Sequence, residues 1–421
     1  RIRAGANTSR TNPVAVLIDL AGNDLYGYQK KFPAPAKGLL PADADGRKKF
    51  RDWLQPASMS TRNRQGAGRL GYGVLLDIGG GDDTYRSLRM SQGYANFGVG
   101  VLWDDGGDDS YTAEIGAQGA AFVGIAILHD GGGKDSYRAF QSAQAFGWMS
   151  SVGVLYDAGG DDAYECVVDE VLVTDSPQTP KKANGSLCQG TAFGLRRDKT
   201  KTHRSGGIAL LRDAAGNDTY VGSTFAQGTG YWFGTGILAD KAGNDTYEGL
   251  FYAQAASAHY AIGILLEGGG DDKFNLKREP INCTIGCGHD FSSALFIDEA
   301  GDDAYLGKSR AMGAAKCHGH GVFADNGGDD SYTSIQDKSI GWATDYDGKP
   351  GSCGNYKYVP SYGFFVDVGG KDTYDKPDLS GYGDNKTWIN DDPDDSDALE
   401  LSGGIDSATG DSYIHAANPK K

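Results

Sequence analysis

The chain has 421 residues, with 65 Gly, 23 Tyr and 56 Asp and Glu against 40 Lys and Arg, for a formal charge of −16. That composition excludes a helical bundle, and an acid excess of this size opposes phosphate binding, so no nucleic-acid partner is expected. The longest strongly apolar run, AAFVGIAIL at 120–128, is half the ~18 residues that mark a membrane-spanning segment, and no transmembrane segment is predicted.

The charge is uneven. Through Leu70 there are 13 Lys and Arg against 5 Asp, a balance of +8, so residues 71–421 carry −24. Such polarity suits head-to-tail contact or an acidic partner as well as an ordinary solvated face. Arg1, with no charged and apolar leader behind it, reads as the start of a mature product.

In chain order, one phrase organises everything: D-x-x-G-x-D-x-Y. Its first copy, DLAGNDLY, runs from Asp19 to Tyr26 and is followed by a basic insertion at about 28–68. Further copies begin at Asp104, Asp130, Asp157, Asp213, Asp240, Asp298, Asp325 and Asp367. Looser copies begin at Asp77 with an extra Gly, at Glu267 with Phe274 closing it, and at Asp406 with Thr409 for the Gly. Uninterrupted neighbours lie 26 or 27 residues apart, and insertions follow Tyr164, Gln189, Phe274, Tyr332 and Tyr374.

The flanks repeat with the phrase. Two residues before the first acid stands Leu or Phe, four before it Gly or Ala, and three before it an aliphatic residue such as Val101, Ile127, Val154, Ile237 or Ile264. This is the period-two pattern of a strand with one small-and-large face and apolar positions on the other. Seven residues after the Tyr comes Gln, at 92, 118, 144, 227 and 254. Each unit therefore reads as strand, acidic glycine turn, strand at the Tyr, then a Gln-Gly bend.

A unit this short buries its apolar face only by stacking on its copies. The fold class predicted is all-β: a parallel β-helix or β-solenoid of about twelve 26–27-residue coils with loop insertions. A propeller is the alternative, but its blades need four strands and about 40 residues. Residues 1–70 form a basic N-terminal coil plus insertion, 71–374 the repeat array, and 375–421 a C-terminal capping region with the last degenerate repeat. In register, Leu, Tyr and Gln each make a ladder, the Gln amides pairing with their copies above and below.

The phrases GGDDSY at 106–111 and AGNDTY at 215–220 and 242–247 resemble the RTX, or haemolysin-type, calcium-binding repeat. The resemblance covers the turn motif only, since RTX motifs recur every nine residues and here one copy occurs per coil. It implies Ca²⁺ held between successive turns by Asp19, Asp24, Asp104, Asp109, Asp130, Asp135, Asp157, Asp162, Asp213, Asp218, Asp240, Asp245, Asp298, Asp303, Asp325, Asp330, Asp367 and Asp372. Physics points the same way. Like charges stacked at about 4.8 Å repel by ~1 kcal/mol per pair in water and ~3–4 kcal/mol at an effective dielectric near 20. Asp side chains that cap their own turn's N–H groups relieve part of this without metal.

Trp103, His129 and Tyr156 precede the first acid in three successive coils, an outward aromatic stripe able to stack sugar rings. Cys166 and Cys188 bracket an insertion and suit a disulfide; Cys283, Cys287, Cys317 and Cys353 read as further disulfides, or with His289, His318 and His320 as a zinc site. No G-x-S-x-G, H-E-x-x-H or phosphate loop is present, so an enzyme is the weaker expectation. The reading is a secreted, periplasmic or cell-surface calcium-stabilised scaffold for adhesion or assembly, with a protein partner or self-assembly. A glycan-binding or polysaccharide-active protein is the alternative.

Overall fold

The structure is a computed structural model that describes residues 13–27, 47–48, 57–58, 64–166, 175–177, 179–197, 200, 202–336, 338–345, 353, 359–375, 382–390 and 401–407. It is a parallel β-solenoid in which each coil lays its strands directly on those of the coil before. The leading strands run Val14–Asp19, Tyr72–Asp77, Ala95–Trp103, Ala121–Asp130, Val152–Asp157, Ile208–Arg212, Thr235–Ala239, Ile262–Glu267, Ser293–Asp298, His320–Asp325, Tyr362–Val368 and Leu401–Ser407. Each pairs in parallel with the next, and Leu75, Leu102, Leu128 and Leu155 fall opposite one another without a slip.

Register holds because one face is buried: a one-residue shift would turn every Leu outward. Leu102, Leu128, Leu155, Leu211, Leu238 and Leu265 are fully buried, and Phe296, Phe323 and Phe365 continue the column. Where Leu gives way to Phe, the rings stack at 5.0 and 4.9 Å. A second parallel sheet is built from the short strands that begin each Tyr segment, from Leu25–Tyr26 to Thr373–Asp375. Its rings lie face to face along the whole array, for example Tyr85 on Tyr111 at 4.7 Å and Tyr111 on Tyr137 at 4.8 Å.

The glutamines correct the sequence reading. Gln92, Gln118, Gln144, Gln189 and Gln227 adopt positive φ of 51–60°, and their amides do not pair with one another. Each Nε2 donates to the carbonyl of its own coil's Tyr and to a carbonyl of the next coil, as Gln118 does to Tyr111 at 3.0 Å and Arg138 at 3.2 Å. The Gln thus ties two coils together at the bend, while its Oε1 is buried without a partner in Gln65, Gln92, Gln118, Gln144, Gln189 and Gln227.

Insertions leave the stack undisturbed. Val14–Asp19 pairs directly with Tyr72–Asp77, so two rungs separated by a long insertion in sequence are direct neighbours in the stack. The degenerate copy at Asp406 is a true rung, with Asp367 opposite Asp406. Beyond it, Thr387–Ile389 returns antiparallel onto Leu401–Ser407, and the Trp388 ring sits over Phe365, Tyr374 and Tyr382, closing that end. At the other end the outward residues of the first strand are open, with Val16 and Ile18 more than half exposed. Tyr413, the last aromatic of the expected ladder, lies outside the described residues.

The six cysteines form three disulfides: Cys166–Cys188, Cys283–Cys287 and Cys317–Cys353. This removes the thiolates that a zinc site at Cys283, Cys287 and Cys317 would use.

Candidate metal centre

The acidic turn is built from two carboxylates with different duties. The first acid ends the leading strand, and its Oδ1 accepts from the N–H two residues on: Gly106 to Asp104 at 2.9 Å, Gly132 to Asp130 at 2.9 Å, Gly159 to Asp157 at 3.0 Å. Its Oδ2 accepts the phenol of the preceding coil, as Tyr85 gives to Asp104 at 2.5 Å, Tyr111 to Asp130 at 2.6 Å and Tyr137 to Asp157 at 2.6 Å. The Tyr ladder is therefore a donor ladder as well as a packing one, and its hydroxyls point inward.

The second acid links rungs. Its Oδ1 accepts the backbone N–H of the second acid one coil earlier: Asp83 to Asp109, Asp109 to Asp135, Asp135 to Asp162 and Asp162 to Asp218, each at 2.6 Å. The remaining oxygen, Oδ2, is buried with no partner in Asp83, Asp135, Asp162, Asp218, Asp245, Asp272 and Asp372. The residue before the second acid makes a parallel, exposed ladder, with Lys134 N–H donating to Asp108 at 2.9 Å and Asp329 N–H to Asp302 at 2.8 Å.

Successive rungs bring three carboxylates together: Asp83, Asp104 and Asp109; then Asp109, Asp130 and Asp135; then Asp135, Asp157 and Asp162; then Asp162, Asp213 and Asp218. In each group one oxygen per residue lies within 4.8 Å of the others, and all of these side chains are buried. Such a group can hold a metal ion. The eighteen Asp picked from the sequence lie along this one column, with Asp19 and Asp24 at its half-exposed open end. Asp77 with Asp83 and Glu267 with Asp272 belong to it too. The extra Gly and the Glu had set those copies apart, yet Asp77 pairs with Asp19 and Glu267 with Asp298.

Electrostatics state what the geometry implies. Burial, with Asp157 repelling it, pushes the Asp162 carboxyl up to about 8, and burial with repulsion from Asp325 and Asp372 pushes Asp367 up to about 9. Asp109, Asp135, Asp218, Asp245, Asp303 and Asp330 move the same way, burial first in every case. The Tyr111, Tyr137 and Tyr164 hydroxyls, buried against these carboxylates, are held far above the ordinary phenol range and remain donors. The exposed Asp161 moves down, because Asn217 donates to it from both backbone and side chain. A column of ionised carboxylates is unstable alone; it needs protons or cations.

The predicted aromatic stripe is real in position. The Trp103 and His129 rings stack at 3.7 Å, His129 lies 5.2 Å from Tyr156, and the Arg212 guanidinium covers the Tyr156 ring at 5.7 Å. The faces that a sugar would use between these rings are occupied by their neighbours.

A second constellation lies at the corner after the Gln bend. Phe122, Trp148, Phe193 and Tyr231 form an outward column there. At its far end His259 Nδ1 pairs with Asp290, Tyr252 shares a proton with His289 Nδ1 at 2.5 Å, and the two imidazoles lie 6.0 Å apart. Burial and the Lys316 charge push the His289 imidazole down to about 3, so it stays neutral. Burial raises Asp290, but the hydrogen bond and charge contact with His259 overcome it and hold that carboxyl below its usual range. The aromatic column was marked in the sequence four residues after Gln118, Gln144, Gln189 and Gln227, but the imidazoles at its far end carry no such mark.

The chain matches no protein-family model, no curated protein and no solved structure.

Proposed function

We propose that this chain is a secreted or cell-surface scaffold whose β-solenoid is held along one edge by calcium, and that it serves assembly or adhesion through the faces the column stiffens. The observation that carries the reading is the unpartnered, fully buried Oδ2 repeated on the second acids, of which Asp83, Asp135, Asp162 and Asp218 each belong to a three-carboxylate group. A buried ionised oxygen with no donor costs several kcal/mol unless it is neutralised. Here the same vacancy of partners recurs rung after rung, which a shared ion column would answer.

The donor set argues for the ion. It is all oxygen and negatively charged, which suits Ca²⁺ or Mg²⁺ over zinc or copper. Mg²⁺ demands near-octahedral geometry and keeps its waters, whereas Ca²⁺ tolerates the irregular shell that stacked turns and their carbonyls provide. The resemblance of the turn to the RTX repeat supports the same choice. Three disulfides suit an oxidising compartment.

Metal content of the purified protein by mass spectrometry, with thermal melting in calcium and in EGTA, tests this. Several calcium ions per chain and a lower midpoint in EGTA are expected. A calcium-free protein whose midpoint ignores EGTA would exclude the reading.

A further inference from the structure

The face opposite the column is apolar. On each leading strand the residues alternating with the buried Leu point outward, such as Val99, Val101 and Trp103 in one coil and Ile262, Ile264 and Leu266 five rungs on. Arg212 is the single permanently charged residue on these three columns among the described rungs, and it lies flat over Tyr156. The column at the start of these strands stays exposed, with Tyr72 at 57%, Ile125 at 45%, Ile208 at 50% and Ile262 at 45%, and the middle column of Val101, Ile127, Val154, Ile237 and Ile264 is half-buried between its neighbours.

Size decides what this face is. Five residues of strand by twelve rungs make a surface of about 17 by 55 Å, or roughly 900 Å². The largest apolar patch of an ordinary monomer is ~300–600 Å². A stable interface takes ~800 Å² from each partner.

We propose that a second copy of this chain covers the face, the two leading-strand sheets packing against each other as the halves of a β-sandwich. Shape selects the partner. The surface is a regular set of ridges at the rung spacing, and the surface that interdigitates with it is another sheet of the same spacing, about 10 Å away. An isologous contact needs one self-complementary patch, and a nearly charge-free face satisfies that without pairing like charges. The inference deepens the scaffold reading by naming its partner, and it needs the coil but not the identity of the ion.

The test is the mass of the full, oxidised chain in calcium buffer, by light scattering and sedimentation equilibrium at micromolar concentration. A dimer, twice 44.4 kDa, is expected. The double substitution Ile237→Lys with Ile264→Lys should give a monomer with an unchanged circular dichroism spectrum. If that chain fails to fold, Ile237→Thr with Ile264→Thr keeps the β-branched shape and should weaken dimerisation at least tenfold. A wild-type monomer overturns the proposal, as does a dimer whose affinity ignores the folded variant. A monomer that instead floats with phosphatidylcholine vesicles also overturns it, because the face then takes lipid. Melting with and without EGTA, measured on the same samples, separates failure of this interface from failure of the ion column.

Discussion

Removing calcium should make stability depend on pH in the opposite sense to ordinary acid denaturation. In the metal-free protein the folded carboxyls hold their protons, Asp162 up to about 8 and Asp367 up to about 9, while the same groups in the unfolded chain ionise near 3.9. A raised folded pKa means the folded state binds more protons than the unfolded state between those values. Stability is then greatest below pH ~4 and falls as pH rises toward the folded pKa. For one such acid the loss between pH 4 and 7 is ~4 kcal/mol, from about three pKa units at ~1.36 kcal/mol each. Two acids lose ~8 kcal/mol, comparable with the whole ~5–15 kcal/mol of a folded domain.

Calcium reverses the slope, because it binds the ionised form and protons compete with it. The assay is a melting midpoint from pH 4.5 to 8, in EGTA and in calcium. At ~2.1 cal/mol/K of unfolding entropy per residue, a chain of this length shifts about 1 °C per kcal/mol, so the EGTA midpoint should fall by about 10 °C or more toward pH 8. The calcium midpoint should hold or rise. An EGTA midpoint that does not fall with pH would refute the argument, since the column would then be neither proton-held nor ion-held.

Tyr137→Phe keeps the ring stack but removes the donor to Asp157; a loss of ~1–3 kcal/mol is expected in urea unfolding. Gly133→Ala should abolish folded protein, a cost of at least ~4 kcal/mol judged by soluble yield and circular dichroism, because its φ is +154° and the new Cβ would sit 1.7 Å from the Gly107 carbonyl oxygen. Replacing Cys166 and Cys188 by Ala opens the 22-residue separation they close, and a destabilisation of ~3 kcal/mol in denaturant is expected.

The frame was legible because a stacked coil prints its structure in its sequence: Leu128 must lie on Leu155 and Tyr137 on Tyr164, so the period is the pairing. The loose copies were legible too, once register is seen to outrank identity, as Glu267 opposite Asp298 illustrates. The Gln contacts were not. Positive φ at Gln118 turns its amide under the strand, toward Tyr111 and Arg138 carbonyls, and no count of residues reveals that direction. The His259–Asp290 pair was hidden for another reason, since its partners come from successive coils outside the repeated phrase and meet only through the stacking.

The place of the acids changes what the formal charge means. The buried column holds more carboxylates than the chain's whole excess of 16 negative charges, so neutralising the column leaves the rest of the sequence with a net positive balance. The sequence isoelectric point of about 4.8 counts those acids as if they were free. Isoelectric focusing of the native protein should therefore give a value well above 4.8, and focusing in urea, which unstacks the coils, should return to it. Equal values would mean the buried carboxylates are ionised without compensation, which the repulsion between rungs forbids at ~3–4 kcal/mol per pair.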